Sequence, residues 1–128
     1  MVRARPRPTD AELEILRVLW ELGPATVRQV HEALAGTRET GYTTTLKLMQ
    51  IMADKGLVTR DESSRTHVYA ATVTKEHTQR QLVKDLVDRA FGGSAEKLVM
   101  QALRGRRATG DEIARIREML DEIEGGAR

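Results

Sequence analysis

The stretch "TGYTTTLKLMQIMADKGLVTRDESSRTHVYAA" (residues 40–71) joins one helical pattern to two β-like runs. Its first half repeats apolar side chains at helical spacing, and Gly56 follows where helices commonly end on a left-handed residue. "LVTR" (57–60) and "THVYA" (66–70) predict two short strands, with "DESSR" (61–65) long enough to form the hairpin loop between them. The stretch therefore predicts a helix, from about Thr43 to Lys55, followed by a β-hairpin.

Two further helical patterns precede this stretch, and both begin with a threonine followed three residues later by Glu or Gln. The pairs are Thr9 with Glu12 and Thr26 with Gln29, which is the spacing of a capping box. We expect helices over residues 9–22 and from Thr26 to Gly36. The predicted buried positions of the three helices are Leu13, Leu16, Leu19 and Trp20, then Val27, Val30 and Leu34, then Leu46, Met49, Met52 and Ala53. The order of three helices and a hairpin predicts a winged helix-turn-helix domain.

The remainder of the chain reads as three more helices, so the predicted fold class is mainly α with a small β-hairpin wing. They cover residues 74–91, 94–103 and 109–124, and the last begins with another capping box at Thr109. Their apolar stripes are narrow and need another helix face. We expect a helical dimerisation arm; the alternative is a monomer in which these helices fold back on the winged domain. The expected dimerisation residues are Leu82, Leu86, Phe91, Leu98, Leu103, Ile113, Ile116, Leu120 and Ile123.

The predicted domain organisation is a basic arm (1–8), a winged-helix domain (9–72) and a dimerisation domain (73–128). The formal net charge of +2 is weak evidence for an anionic partner, so the placement of charge matters more. The arm carries Arg3, Arg5 and Arg7 without an acid, which is typical either of a nucleic-acid accessory or of a plain tail.

The chain has no cysteine, which excludes disulfides, zinc fingers and iron–sulfur clusters. No apolar run reaches the length of a membrane span and no signal-peptide pattern begins the chain, so we expect a cytoplasmic protein. The histidines His31, His67 and His77 fall on three different predicted elements, and no hydrolase, phosphate-loop or dinucleotide motif is present. We therefore expect no catalytic residue, metal or cofactor, and no enzyme activity.

The candidate chemistry is DNA binding, because two successive helices begin with hydroxyl-bearing residues that can meet phosphates together with free backbone amides. Threonine can also offer its methyl group to thymine, and lysine can reach a guanine edge. For the "TTT" run, a capping role is the alternative, and Thr43 could cap while Thr44 reads DNA. The predicted DNA-binding residues are Thr26, Arg28, Tyr42, Thr43, Thr44, Lys47, Gln50, Arg65 of the wing, and Arg5 and Arg7 of the arm.

With these residues in place, the chain resembles the BlaI/MecI penicillinase-repressor family. The resemblance rests on "VLWELGPATVRQV", "YTT", "KGLV" and "FGGS", in this order and spacing, and extends from about Thr9 to Glu124. It implies a homodimeric winged-helix repressor that binds a palindromic operator, with Thr43, Thr44 and Lys47 in the major groove. The alternative is a winged-helix protein-interaction module without specific DNA binding.

The resemblance also implies a way of releasing DNA. In characterised members of that family, a membrane sensor metalloprotease triggers derepression, with cleavage of an Asn–Phe bond in the helix after "GGS". Counted from "GGS", this bond corresponds to Gln101–Ala102, and neither residue of the family bond is kept. The possible cleavage region therefore leaves open another protease specificity or another inducer.

Overall fold

The computed structural model describes residues 7–37, 40–105 and 108–126. Six helices and a two-stranded antiparallel sheet occur in these ranges, in the predicted order. They are α1 (Asp10–Leu22), α2 (Val27–Leu34), α3 (Tyr42–Lys55), β1 (Val58–Asp61), β2 (Val68–Ala71), α4 (Lys75–Ala90), α5 (Ala95–Gly105) and α6 (Gly110–Gly126). The mainly helical fold class with a hairpin wing is confirmed.

The core of the first part lies among α1, α2, α3 and the hairpin. It is built from aliphatic side chains, two methionines and one tyrosine: Ile15, Leu16, Leu19, Ala25, Val27, Val30, Leu34, Met49, Met52, Leu57, Val58, Tyr69 and Val73. The stripe expected on α1 was partly wrong. Ile15 is buried and Leu13 only partly so, because the inward face of α1 also contains Glu12, which is 1% exposed. Because Glu12 is charged, the pattern of apolar residues alone did not identify the buried face of α1 correctly.

The helix starts follow the predicted capping chemistry. In both boxes the threonine hydroxyl accepts a backbone N–H three residues on, and the Glu or Gln side chain accepts the N–H of the threonine. The same reciprocal pair joins Thr109 and Glu112 ahead of α6. At the end of α3, Gly56 adopts φ 82° and donates its N–H to the Met52 and Ala53 carbonyls, as a left-handed cap requires.

The hairpin pairs Val58 with Ala71 and Asp61 with Val68, so both strands end one residue later than predicted. A further rung joins it to the segment between α1 and α2, where Ala25 and Tyr69 exchange both backbone hydrogen bonds at 2.8 and 2.9 Å. This extra rung holds the hairpin against the first helices. The buried Tyr69 ring, 1% exposed, anchors the same point in the core.

The chain separates into two compact units, of which the first ends at Leu82 and the second begins at Val83, both within α4. The first turns of α4 thus belong to the winged unit, where Thr78 is buried and the Trp20 Nε1–H donates to the Val73 carbonyl at 2.9 Å. The second unit contains the rest of α4 with α5 and α6. Among the described residues, no helix is long and apolar enough to cross a membrane.

Candidate nucleic-acid interface

The first half of α3 presents a continuous polar surface. Thr43, Thr44, Lys47 and Gln50 are all exposed, while Thr45, Met49 and Met52 are buried on the opposite side. Helical spacing produces this division, because residues three and four apart lie on one face. The four residues that the sequence assigned to DNA therefore share one accessible surface at the helix N-terminus, where unpaired backbone amides favour phosphate.

The alternative in which Thr43 caps α3 is wrong. The helix begins one residue earlier than predicted, at Tyr42, and its N-cap is Gly41, which makes no side-chain capping bond. Of the three threonines, Thr45 faces inward, and its hydroxyl donates to the Gly41 carbonyl at 3.5 Å. The hydroxyls of Thr43 and Thr44 are thus not used for capping. No side chain caps the backbone N–H groups at the start of α3.

A cluster of three side chains connects the start of α3 to α2. The Arg28 guanidinium carbon lies 5.5 Å from the centroid of the Tyr42 ring. The His31 ring meets the same tyrosine edge-on, with 5.8 Å between centroids and an interplanar angle of 84°. Arg28 and Tyr42 were predicted DNA-binding residues, and the structure brings them into contact. No role was predicted for His31. The signal available in the sequence was its position one helical turn after Arg28.

The opposite end of α3 is fixed by an ion pair with α1. The Lys55 ammonium donates to both carboxylate oxygens of Glu12, each at 2.9 Å, and Glu12 also accepts the Thr9 N–H. Burial acts to raise the pKa of Glu12, but the Thr9 hydrogen bond and the hydrogen bonds and charge of Lys55 outweigh it, so the pKa is lowered. Sequence reasoning missed Lys55, whose partner is far away in the chain.

In the wing, the two arginines differ. Arg60 forms an ion pair with Glu62 at 2.7 Å. Its pKa is raised by a hydrogen bond with Tyr69 and by the charge of Glu62. Arg65 makes no ion pair with any described residue and is exposed, so it is the available cation of the wing. Its role as the phosphate contact of the wing stays a prediction.

The other predicted positions are spread over the chain. Thr26 caps α2 through its hydroxyl, Arg7 is exposed ahead of α1, and Arg5 lies outside the described residues. The three histidines occupy α2, the hairpin loop and α4. In the ranges that the structure covers, no group of three His, Asp or Glu residues could hold a metal ion.

The expected dimerisation residues lie in α4 and the second unit. Five are exposed, namely Leu86, Leu103, Ile113, Leu120 and Ile123, and four are half-buried, namely Leu82, Phe91, Leu98 and Ile116. Leu86, Leu120 and Ile123 are 50–59% exposed, and no side chain of α5 or α6 is buried. An open apolar groove between these two helices is lined by Leu103, Ala108, Ile113, Ile116, Arg117 and Leu120. Gln101 and Ala102 of the possible cleavage region are exposed but lie within α5.

The fold and the exposed start of α3 define a winged helix-turn-helix protein. A family model described as penicillinase repressor matches residues 8–122. The chain belongs to the penicillinase repressor family, whose members are transcriptional repressors and not enzymes, so the resemblance drawn from its motifs is confirmed.

Individual relatives agree with this assignment. The transcriptional regulator BlaI of Mycobacterium tuberculosis is 34% identical over 91% of this chain and 85% of its own length. The penicillinase repressor of Bacillus licheniformis is 22% identical over 91% of each chain. The solution structure of the DNA-binding domain of the repressor BlaI matches 58% of this chain and 90% of that domain, with a TM-score of 0.51 at 23% identity.

The monomeric form of Bacillus licheniformis BlaI, solved in complex with the blaP half-operator, gives a TM-score of 0.50 at 23% identity. It aligns with 59% of this chain and 92% of that structure. Both structural matches support the winged-helix fold of the first unit.

Proposed function

We propose that this chain is a cytoplasmic repressor that binds a palindromic DNA operator as a homodimer. The observation that carries the proposal is the exposed surface of α3, formed by Thr43, Thr44, Lys47 and Gln50 at an N-terminus whose cap makes no side-chain bond. In a helix-turn-helix domain the N-terminal residues of this helix contact base edges in the major groove. The monomeric form of Bacillus licheniformis BlaI, a protein of this fold, was solved in complex with the blaP half-operator, which supports a DNA partner.

In this proposal each residue type has a separate task. The two threonines offer hydroxyls to phosphate or base and methyl groups to thymine, and Lys47 supplies the charged contact on the same face. Arg65 in the wing and Arg5 and Arg7 in the arm add contacts to phosphates at the edges. Because these cations are few, the affinity of one subunit is modest, and two half-sites bound together supply the rest.

The first test is selection of bound fragments from genomic DNA at physiological salt, followed by footprinting. We expect a protected palindrome whose half-sites are separated by about one helical turn. Lys47→Ala should weaken binding to the selected operator about ten-fold per half-site. Lys84→Ala, at an exposed lysine of α4, is the matched control and should bind as the parent does. If no fragment is enriched, the chain is instead a winged-helix interaction module.

The dimer is proposed from the exposed apolar face of the second unit. A face of this kind is unusual on a monomer and is typical of a protein interface. Leu120→Glu should produce monomers in light-scattering chromatography and weaken operator binding. Met119→Glu is its matched control, because Met119 is 59% exposed against 58% for Leu120 but does not line the groove between α5 and α6. Equal dissociation by both variants would argue against the groove as the interface.

Release of DNA would act on the same helices. A membrane sensor metalloprotease would separate the two subunits by cleaving the second unit. Another signal would separate them by loosening its helices. Gln101 and Ala102 lie inside a regular helix, so α5 must open locally before a protease can bind its backbone. Cleavage at this bond predicts a fragment ending at Gln101, detectable by mass spectrometry of cells after induction; an intact repressor in derepressed cells would rule it out.

A further inference from the structure

The cluster of Arg28, His31 and Tyr42 lies where α2 meets α3, at the edge of the surface proposed to read DNA. Arg28 and His31 are one helical turn apart on α2, and Tyr42 is the first residue of α3. Tyr42 is 41% exposed, so its ring is held between two neighbours while part of it stays open to solvent. Arg28 makes no ion pair with any described acid.

An arginine without a partner samples many rotamers, and a phosphate that binds it must select one of them. A guanidinium over an aromatic ring loses part of this freedom before DNA arrives, because the ring face attracts the cation. A guanidinium held over a ring keeps N–H groups that point away from the ring and can donate to phosphate oxygens. The 5.5 Å distance between Arg28 and the Tyr42 ring therefore describes a prearranged cation at the DNA-facing side.

A contact with His31 restricts the movement of the Tyr42 ring. Its edge-on contact, at 84° between the ring planes, fixes the orientation of the Tyr42 ring from the α2 side. Edge-to-face pairs of this geometry are favourable because the positive edge of one ring meets the negative face of the other. One tyrosine thus connects both helices of the motif and presents its ring to Arg28.

We infer that Tyr42 is a positioning residue that acts through Arg28: its ring, braced by His31, holds the guanidinium ready for a backbone phosphate of the operator. This inference rests on the proposed function and assigns to Arg28 the DNA contact and to Tyr42 the arrangement of that contact. It also separates the ring of Tyr42 from its hydroxyl, since only the ring face is needed to hold Arg28.

A double-mutant cycle on the full-length protein with the selected operator tests this inference. Tyr42→Leu should weaken binding about two- to five-fold per subunit, which is the value of an exposed cation–π contact. In an Arg28→Ala background the same substitution should have almost no effect. Arg28→Ala alone should also reduce the slope of log K against log salt by about one per subunit, whereas Tyr42→Leu should leave the slope unchanged. Tyr42→Phe keeps the ring and should bind like the parent.

The outcomes separate the inference from the proposed function. If the parent selects no operator, both fail. If the parent binds but the effects of Tyr42→Leu and Arg28→Ala add, or Tyr42→Phe loses as much as Tyr42→Leu, Tyr42 contacts DNA independently and only the inference is overturned. Should Tyr42→Leu unfold, as circular dichroism would reveal, the parent still provides a test: the Arg28 Hε resonance should be shifted upfield by the Tyr42 ring, and an unshifted resonance would refute the contact.

Discussion

Removal of the Lys55 ammonium should destabilise the fold more than neutralisation of its partner Glu12. The Glu12 side chain is 2% exposed, and both of its oxygens accept from Lys55 at 2.9 Å. Lys55→Met leaves a buried carboxylate with the Thr9 N–H, a change that costs about 3–5 kcal/mol in fully buried pairs. Because the Lys55 side chain is 29% exposed and water screens part of the pair, we expect a loss of about 2–3 kcal/mol.

Glu12→Gln should cost only about 1–2 kcal/mol, because the amide oxygen still accepts the Thr9 N–H and the partly exposed Lys55 can be hydrated. Combining both substitutions should recover part of the loss of Lys55→Met alone, since no buried charge then remains. This order, with the lysine variant worst and the double variant better, distinguishes an uncompensated buried charge from a simple loss of packing.

The pH dependence has a definite sign. The pKa of Glu12 in the folded chain is below the ordinary value of 4.5. A carboxylate with a lowered pKa stabilises the fold above its unfolded pKa, and this contribution is lost as the pH falls through its folded pKa. The difference in unfolding free energy between the parent and Lys55→Met should therefore be full near neutral pH and shrink below about 4.5.

Urea unfolding followed by the fluorescence of Trp20, the single tryptophan, measures these differences in the unit that contains the pair. Protein concentration must be fixed, because dimerisation would shift apparent stability. Lys75→Met is the matched control: Lys75 is an exposed lysine in the same unit as the pair, so a change within about 0.5 kcal/mol is expected. Equal losses for both lysine variants, or a gap that persists in acid, would refute the reasoning.

Four further substitutions test other features. Gly56→Ala should cost about 1 kcal/mol in urea unfolding, because Gly56 has φ 82°; an unchanged midpoint would contradict this cap. Trp20→Phe removes the hydrogen bond to the Val73 carbonyl and should lower stability by about 1 kcal/mol by thermal circular dichroism. Thr44→Ala should weaken operator binding without changing stability, whereas Thr45→Val, at a buried residue, should leave operator affinity unchanged; a reversed pattern in binding assays would assign the wrong threonine to DNA.

Features decided by neighbours in sequence were predictable. The capping boxes at Thr9, Thr26 and Thr109 and the glycine cap at Gly56 depend on residues within one turn, so spacing alone located them. The start of α3 was predicted one residue late, because its N-cap is Gly41, which has no side chain to indicate a cap in the sequence. The inward direction of Thr45 was also not predictable, because burial depends on the tertiary fold.

Features that join distant residues were not predictable from a single sequence. Glu12 was predicted only as the second residue of a capping box. It is in fact buried, and Lys55 at the end of another helix compensates its charge. Tyr42 appeared as a DNA contact, and nothing in the spacing showed that its ring lies against both Arg28 and His31. The predicted site residues of α3 share one exposed surface, and their contact with DNA stays a prediction, whereas the contacts that support that surface were not predicted.

These supporting contacts lie at the two ends of α3. At its start Tyr42 contacts α2 through His31 and Arg28, and at its end Lys55 is bound to Glu12 of α1. A helix held at both ends loses little conformational freedom when it enters a groove, so its contacts contribute more fully to affinity. Because α3 is held at both ends, a signal that releases DNA has little scope to act by moving this helix. We therefore propose that control of DNA binding acts through the second unit, whose apolar side chains are exposed.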